Sequence, residues 1–248
     1  MIRKNYFALI LALCALAFIA CSNSTGGDGP FISIGTNLTV SGAPVTRFGD
    51  GDPEINDQNL PADIVFTDII TMDYHTITMG AAIGGTPKVE IIDGLANISL
   101  GEPKNPMTIS DQFDGGTIPP TVDVHGGEDV KMFVFSAFYA EVPLANIFPE
   151  YVGDPGIDDP FPAMLVLVSN DFLFAVPSFV WFVWCEDNFT MDGYELHGGQ
   201  KTTWDINAKK GWNIMRLTYN GGSEAFFETI GLDEIDDYIW VVTLNGSP

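Results

Sequence analysis

The chain is poor in cysteine, in basic residues and in histidine, and each shortage narrows what it can do. There are three cysteines, at 14, 21 and 185. Cys14 lies inside an apolar leader and Cys21 at its end, so the body keeps only Cys185, which excludes an internal disulfide and a cysteine-based zinc cluster. Cys185 sits in SFVWFVWCED, among Phe, Val and Trp, where a cysteine acts as a small buried hydrophobe and not as a nucleophile. Ten Lys and Arg stand against 33 Asp and Glu, for a formal net charge of −23. Arg3 and Lys4 are the only charges in the first twenty residues, so loss of that segment takes the body to −25. Such a body has no means of gripping a phosphate backbone, and no nucleic-acid partner is expected. Electrostatic docking on anionic lipid is excluded for the same reason.

The histidines, His75, His125 and His197, are far apart in sequence and form no metal-binding or nucleophile-activating motif. There is no G-x-S-x-G elbow and no phosphate loop; the Gly pairs at 84–85, 115–116, 126–127, 198–199 and 221–222 read as turns. With 33 carboxylates, pairs at glycosidase spacing are inevitable and carry no weight. No catalytic residue is assigned.

What is present begins at the amino terminus. Arg3 and Lys4 precede an uncharged apolar run from Tyr6 to Ala20, shorter than the roughly 20 residues of a comfortable membrane span but suited to a signal peptide. Small Ala20, then Cys21, then Ser22-Asn23-Ser24-Thr25-Gly26-Gly27 follow. The stretch Phe18-Ile19-Ala20-Cys21 resembles the lipobox of bacterial lipoproteins. The resemblance implies cleavage before Cys21, diacylation of its thiol, frequent acylation of the new amino terminus, and a bacterial cell-envelope location with the membrane reached through the anchor. Two or three acyl chains, at about 0.8 kcal/mol per buried methylene, hold firmly. The competing possibility is cleavage after Ala17, with Ala15 and Ala17 as an A-x-A site, which gives a secreted soluble protein. The expected organisation is a signal peptide over 1–20, a flexible tether over 21–30 and a body over 31–248, with 101–129 the place for a boundary if the body is two β units.

Strand signals dominate the body. Ile32 to Val40 reads as a strand ending in a Ser41-Gly42 turn, 49–62 as an acidic loop, and Ile64–Ile70 and Thr76–Met79 as strands. In KVEIIDGLANISLG two β-type runs flank Asp93-Gly94, which predicts a hairpin closed by a type I′ turn. Residues 101–129 and 153–162 are rich in Pro, Gly and Asp and read as connections. KMFVFSAFY predicts a strand over 131–139. MLVLVSNDFLFAVPSFVWFVWC is interrupted by Asn170, Asp171 and Pro177 and predicts two or three buried strands in place of a membrane helix. Gln200–Ile206 alternates, with Thr202, Trp204 and Ile206 on one face. Trp212, Ile214 and Arg216 alternate against Asn213, Met215 and Leu217. Turns at 209–211 and 220–222, a strand through Ala225–Phe227, one helical turn within 232–238 and a last strand over Ile239–Leu244 complete the reading. The class is all-β, an antiparallel sandwich or barrel-like body. TPKVEIIDGLANISLGEP and WDINAKKGWNIMRLTYNG also resemble stretches of β-rich bacterial lipoproteins without assigned activity, which implies class and location and no functional residue.

Two features bear on function. Asp50, Asp52, Glu54 and Asp57 in GDGDPEIND offer hard oxygen ligands suited to calcium, although Ile55 and Pro61 rule out an EF-hand; Asp154, Asp158 and Asp159 form a thinner set. Trp181, Trp184, Trp204, Trp212 and Trp240 all fall in strands and are expected in the core, Trp181 and Trp184 on opposite faces. The expected function is non-enzymatic: a lipid-anchored binding or structural protein. The alternatives are a carbohydrate-binding module with an exposed Trp/Tyr row, an extracellular hydrolase using paired carboxylates, and a barrel with a Phe- and Val-lined cavity for a lipid.

Overall fold

The computed structural model describes residues 30–48, 55–71, 76–78, 82–84, 86–113, 116–151, 160–169, 178–220, 223–236 and 238–244. The strands, in chain order, are β1 (Phe31–Ser33), β2 (Leu38–Phe48), β3 (Ile55–Asn59), β4 (Ile64–Val65), β5 (Asp68–Thr71), β6 (Thr76–Thr78), β7 (Lys88–Ile92), β8 (Leu95–Leu100), β9 (Met107–Thr108), β10 (Val122–His125), β11 (Lys131–Val142), β12 (Phe161–Ser169), β13 (Ser178–Cys185), β14 (Phe189–His197), β15 (Gln200–Ala208), β16 (Gly211–Asn220), β17 (Glu224–Ile230) and β18 (Tyr238–Leu244). The fold is all-β, as the composition predicts. Among the described residues no helix is long and apolar enough to cross a membrane.

The strands form one connected mixed sheet that does not close into a barrel. It is not wholly antiparallel: β17 pairs parallel to β15, and β18 parallel to β2. Two strands hold the layers together. β2 pairs with β1 and β8 through its first half, is interrupted by a bulge between Ser41 and Ala43, and then lies against β18 and β3 through Val45 to Phe48. Ser41-Gly42 is therefore a bulge inside a strand and not the turn that the sequence suggests; a bulge lets one strand bend between two sheets. β11 pairs with β13 and β9 through its first residues and with β12 and β5 through its last. The acidic segment also differs from its expected form: 55–59 is a strand paired with β2.

The β7–β8 hairpin is as expected. Asp93 and Gly94 have φ of 52° and 73°, the two left-handed residues of a type I′ turn. Val45 donates its backbone N–H to the Gly94 carbonyl at 2.9 Å, fastening the turn to β2.

Apolar side chains collect in two clusters on opposite faces of the central β11–β13–β16 layer. The larger holds Val40, Ala43, Val89, Ile91 and Ile98 from β2, β7 and β8 against Phe135, Phe182, Trp184, Trp212 and Trp240. Phe182 stacks between Phe135, at 5.4 Å, and Trp240, at 5.9 Å and 10°. The smaller holds Met132, Val134, Trp181, Val183 and Met215 against Met191, Trp204, Ile206 and Phe227. Because β13 and β16 are covered on both faces, every second residue faces one cluster and its neighbours the other. This explains why SFVWFVWC lacks polar alternation. Trp212 and Ile214 face the larger cluster, and Met215 and Leu217 the smaller.

Candidate binding interface

Beyond the larger cluster, the same sheet face continues over β17, β15, β14 and β10, where its residues are partly or fully exposed. Register lines its residues up in rows. One row runs Tyr194, Thr203, Phe226, Thr218 and Ser178, each the direct cross-strand partner of the next. The adjacent row runs Asp123, Asp192, Asp205, Glu228 and Arg216. Alternation along the strands produces both: Trp204, Ile206, Ala225 and Phe227 turn inward, which forces Thr203, Asp205, Phe226 and Glu228 outward.

Tyr194 and Phe226 are each 38% exposed and Leu196, one step further along β14, is 69% exposed. Lys201 carries its ammonium 5.2 Å from the Tyr194 ring centroid. Ser178 and Thr218 share a hydroxyl hydrogen bond of 3.0 Å at the buried end of the row. In the acidic row, Arg216 satisfies one end: its Nε donates to Glu228 Oε1 at 2.9 Å and its Nη2 to Glu234 Oε2 at 3.5 Å. Burial works against the Arg216 charge, but the hydrogen bonds and charge of Glu228 and Tyr238 outweigh it and raise its pKa above the ordinary value. Among the described residues none of Asp123, Asp192 and Asp205 is paired with a cation. Like charges directly opposite on neighbouring strands cost a few tenths to about 1 kcal/mol each and make the face attractive to cations.

The sequence-derived candidates are distributed otherwise. Cys21, Asp50, Asp52 and Glu54 lie outside the described residues, as do Asp154, Asp158, Asp159 and His75; the backbone of Asp57 belongs to β3 but its side chain lies outside them too. Cys185 is fully buried in the smaller cluster, and burial pushes its thiol up to about 12, the behaviour of a packing residue. His125 pairs with Thr190 at one end of β14 while His197 stands at the other end, so the strand holds them about 23 Å apart. All five tryptophans are buried, with 2–7% of their surface exposed, so no sugar-stacking row is built from them. Trp181 and Trp184 do face opposite sides of β13.

The Tyr194–Phe226 row is not apparent from the sequence, because its members come from three strands and meet only through register. One local signal exists: Phe226 and Phe227 are adjacent in a strand, so they must point to opposite faces. Among the described residues no group of three or more His, Cys, Asp or Glu is arranged to hold a metal ion. No family model, curated protein or solved structure matches this chain.

Proposed function

We propose that this protein is a lipid-anchored, exported, non-enzymatic binding protein of the bacterial cell envelope, tethered through Cys21, whose β body receives a cationic partner on the open face of β10, β14, β15 and β17. The observation that carries the binding reading is the register that sets exposed Tyr194 and Phe226 either side of half-buried Thr203, in one row beside Asp123, Asp192 and Asp205. Flat aromatic contact supplies apolar area at low entropic cost, and the neighbouring carboxylates select positive charge and steer its approach. Anchoring is supported by the Phe18–Cys21 stretch and the Ser/Gly run after it. The deeply buried Cys185 and the separated His125 and His197 favour binding over nucleophilic catalysis.

Two measurements test the reading. Intact mass and membrane fractionation of the wild type and of Cys21→Ala report the anchor: the wild type carries acyl mass and sediments with membrane, and Cys21→Ala does neither. Equal processing and solubility of the two defeat the anchoring. NMR titration with a lysine-rich peptide reports the face: shifts centred on Tyr194, Thr203 and Phe226, weakened by salt, are expected. Shifts centred elsewhere refute it.

A further inference from the structure

A second exposed apolar area lies on the outer face of the β1–β2–β8–β7–β4 sheet. One row there runs Phe31, Ser41, Asn97, Glu90 and Val65 across five strands. Four intervals of about 4.8 Å give it a width of about 19 Å. The next row, toward the β7–β8 turn, holds Pro44, Leu95 and Ile92, which are direct partners. Phe31 is 61% exposed, Val65 58%, and Ile92 and Leu95 40% each, while the inward neighbours Ala43, Ile64, Ile91 and Ala96 are buried. Hydrophobic side chains are thus concentrated at one end of an otherwise polar sheet face, where scattered single residues would need no explanation.

Strand direction ties this end to the amino terminus. β1 runs from Phe31, opposite Ser41, to Ser33, opposite Thr39, and so leads away from Pro44 and the β7–β8 turn. The chain before Phe31 therefore joins the sheet from the turn end, the end that carries Pro44, Ile92 and Leu95. Ten residue steps separate Cys21 from Phe31, a reach of at most about 36 Å. An acyl group on Cys21 consequently keeps Phe31, at this end of the sheet, within about 36 Å of the bilayer.

We infer that the apolar end of this sheet, formed by Phe31, Pro44, Val65, Ile92 and Leu95, is a lipid-contact surface that rests on the bilayer. This rests on the anchoring through Cys21 proposed above. Glu90 is held at 2.7 Å by Lys88, two residues away on β7, so its charge is compensated on the same sheet face. The body's net charge of −25 directs the contact to zwitterionic headgroups.

The test uses the acylated protein on phosphatidylcholine vesicles containing a nitroxide-labelled lipid. A fluorophore is placed through Leu95→Cys or, as the control, Leu196→Cys; Cys185 is buried and Cys21 acylated, so neither competes for the label. Quenching at 95 several-fold stronger than at 196 is expected. Equal quenching at the two positions overturns the proposal. A second form replaces residues 1–21 with a histidine tag and is held on nickel-chelating vesicles of the same lipid. Absence of acyl mass on the native chain defeats the anchoring reading alone, and the tagged form then decides this face by the same comparison. An Ile92→Glu, Leu95→Glu double variant, checked for native circular dichroism, is expected to lower the quenching of a label at Val65→Cys to the control level; unchanged quenching counts against the surface.

Discussion

Arg47 and Glu150, 103 positions apart, meet through an ion pair of 2.9 Å at the end of the larger apolar cluster. Arg47 Nη1 also donates to the Ile147 carbonyl at 3.0 Å, and its guanidinium lies 5.1 Å from the Phe148 ring centroid. The side chain is 8% exposed, so a cation from β2 pins the 144–151 segment from inside the fold. Truncation by Arg47→Ala is expected to lower stability by about 2 kcal/mol in urea unfolding, combining lost hydrogen bonds with lost packing. Burial opposes the Glu150 carboxylate, but the hydrogen bond and charge of Arg47 prevail and hold its pKa below the ordinary 4.5. A depressed carboxylate adds stability above its unfolded value and loses it as pH falls through the folded one. Below pH 4.5 the wild type should therefore destabilise more steeply than Glu150→Gln. Parallel acid limbs would remove the coupling.

Gly193 has φ of 125°, and a Cβ there would collide with the Thr121 carbonyl oxygen and lie 2.9 Å from Val122 Cα. The close approach lets β10 lie against β14, with Tyr194 N–H donating to Thr121 at 3.1 Å. Gly193→Ala combines backbone strain with a steric clash and is expected to cost more than about 3 kcal/mol. Thermal unfolding measures the loss, and increased hydrogen exchange confined to 122–125 and 190–194 would locate it.

Adjacent phenylalanines give a paired test. Phe227 is 2% exposed and lies edge-on between Trp181, at 5.4 Å, and Trp204, at 5.3 Å. Phe227→Ala should cost about 3–5 kcal/mol and alter tryptophan emission. Phe226→Ala, on the open face, should cost under about 1 kcal/mol and leave emission unchanged. Equal losses would mean that the two strand faces are assigned wrongly.

The Cys185 thiol should react with an aromatic disulfide reagent only after unfolding. Its unfolded value is 9.0 and burial pushes the native value up to about 12. A group whose native pKa is raised adds stability below the unfolded value and loses it as pH rises toward the native one. The protein should accordingly weaken between pH 9.0 and about 12, and Cys185→Ala should lack that contribution. Stoichiometric labelling of the native protein at neutral pH would contradict the burial.

Much of the fold is legible locally. Asp93-Gly94 between two β runs specifies its own hairpin, since the residues able to take two positive φ angles are few. The spacing of Trp181 and Trp184 implies opposite faces from strand period alone. Ser41-Gly42 misleads for a physical reason: a glycine with positive φ serves a turn and a bulge equally well, and only the presence of β8 and β18 on either side decides between them.

By itself the chain determines the all-β class, the buried tryptophans, the lone buried cysteine and the excess of negative charge, because composition and a period of two are properties of short segments. Tertiary structure alone decides that Tyr194, Thr203 and Phe226 share a row, that Asp123, Asp192 and Asp205 lie side by side, and that Phe31 opens onto the same end as Ile92 and Leu95. Those relations depend on strand register and order, which long-range pairing sets and no local sequence pattern encodes.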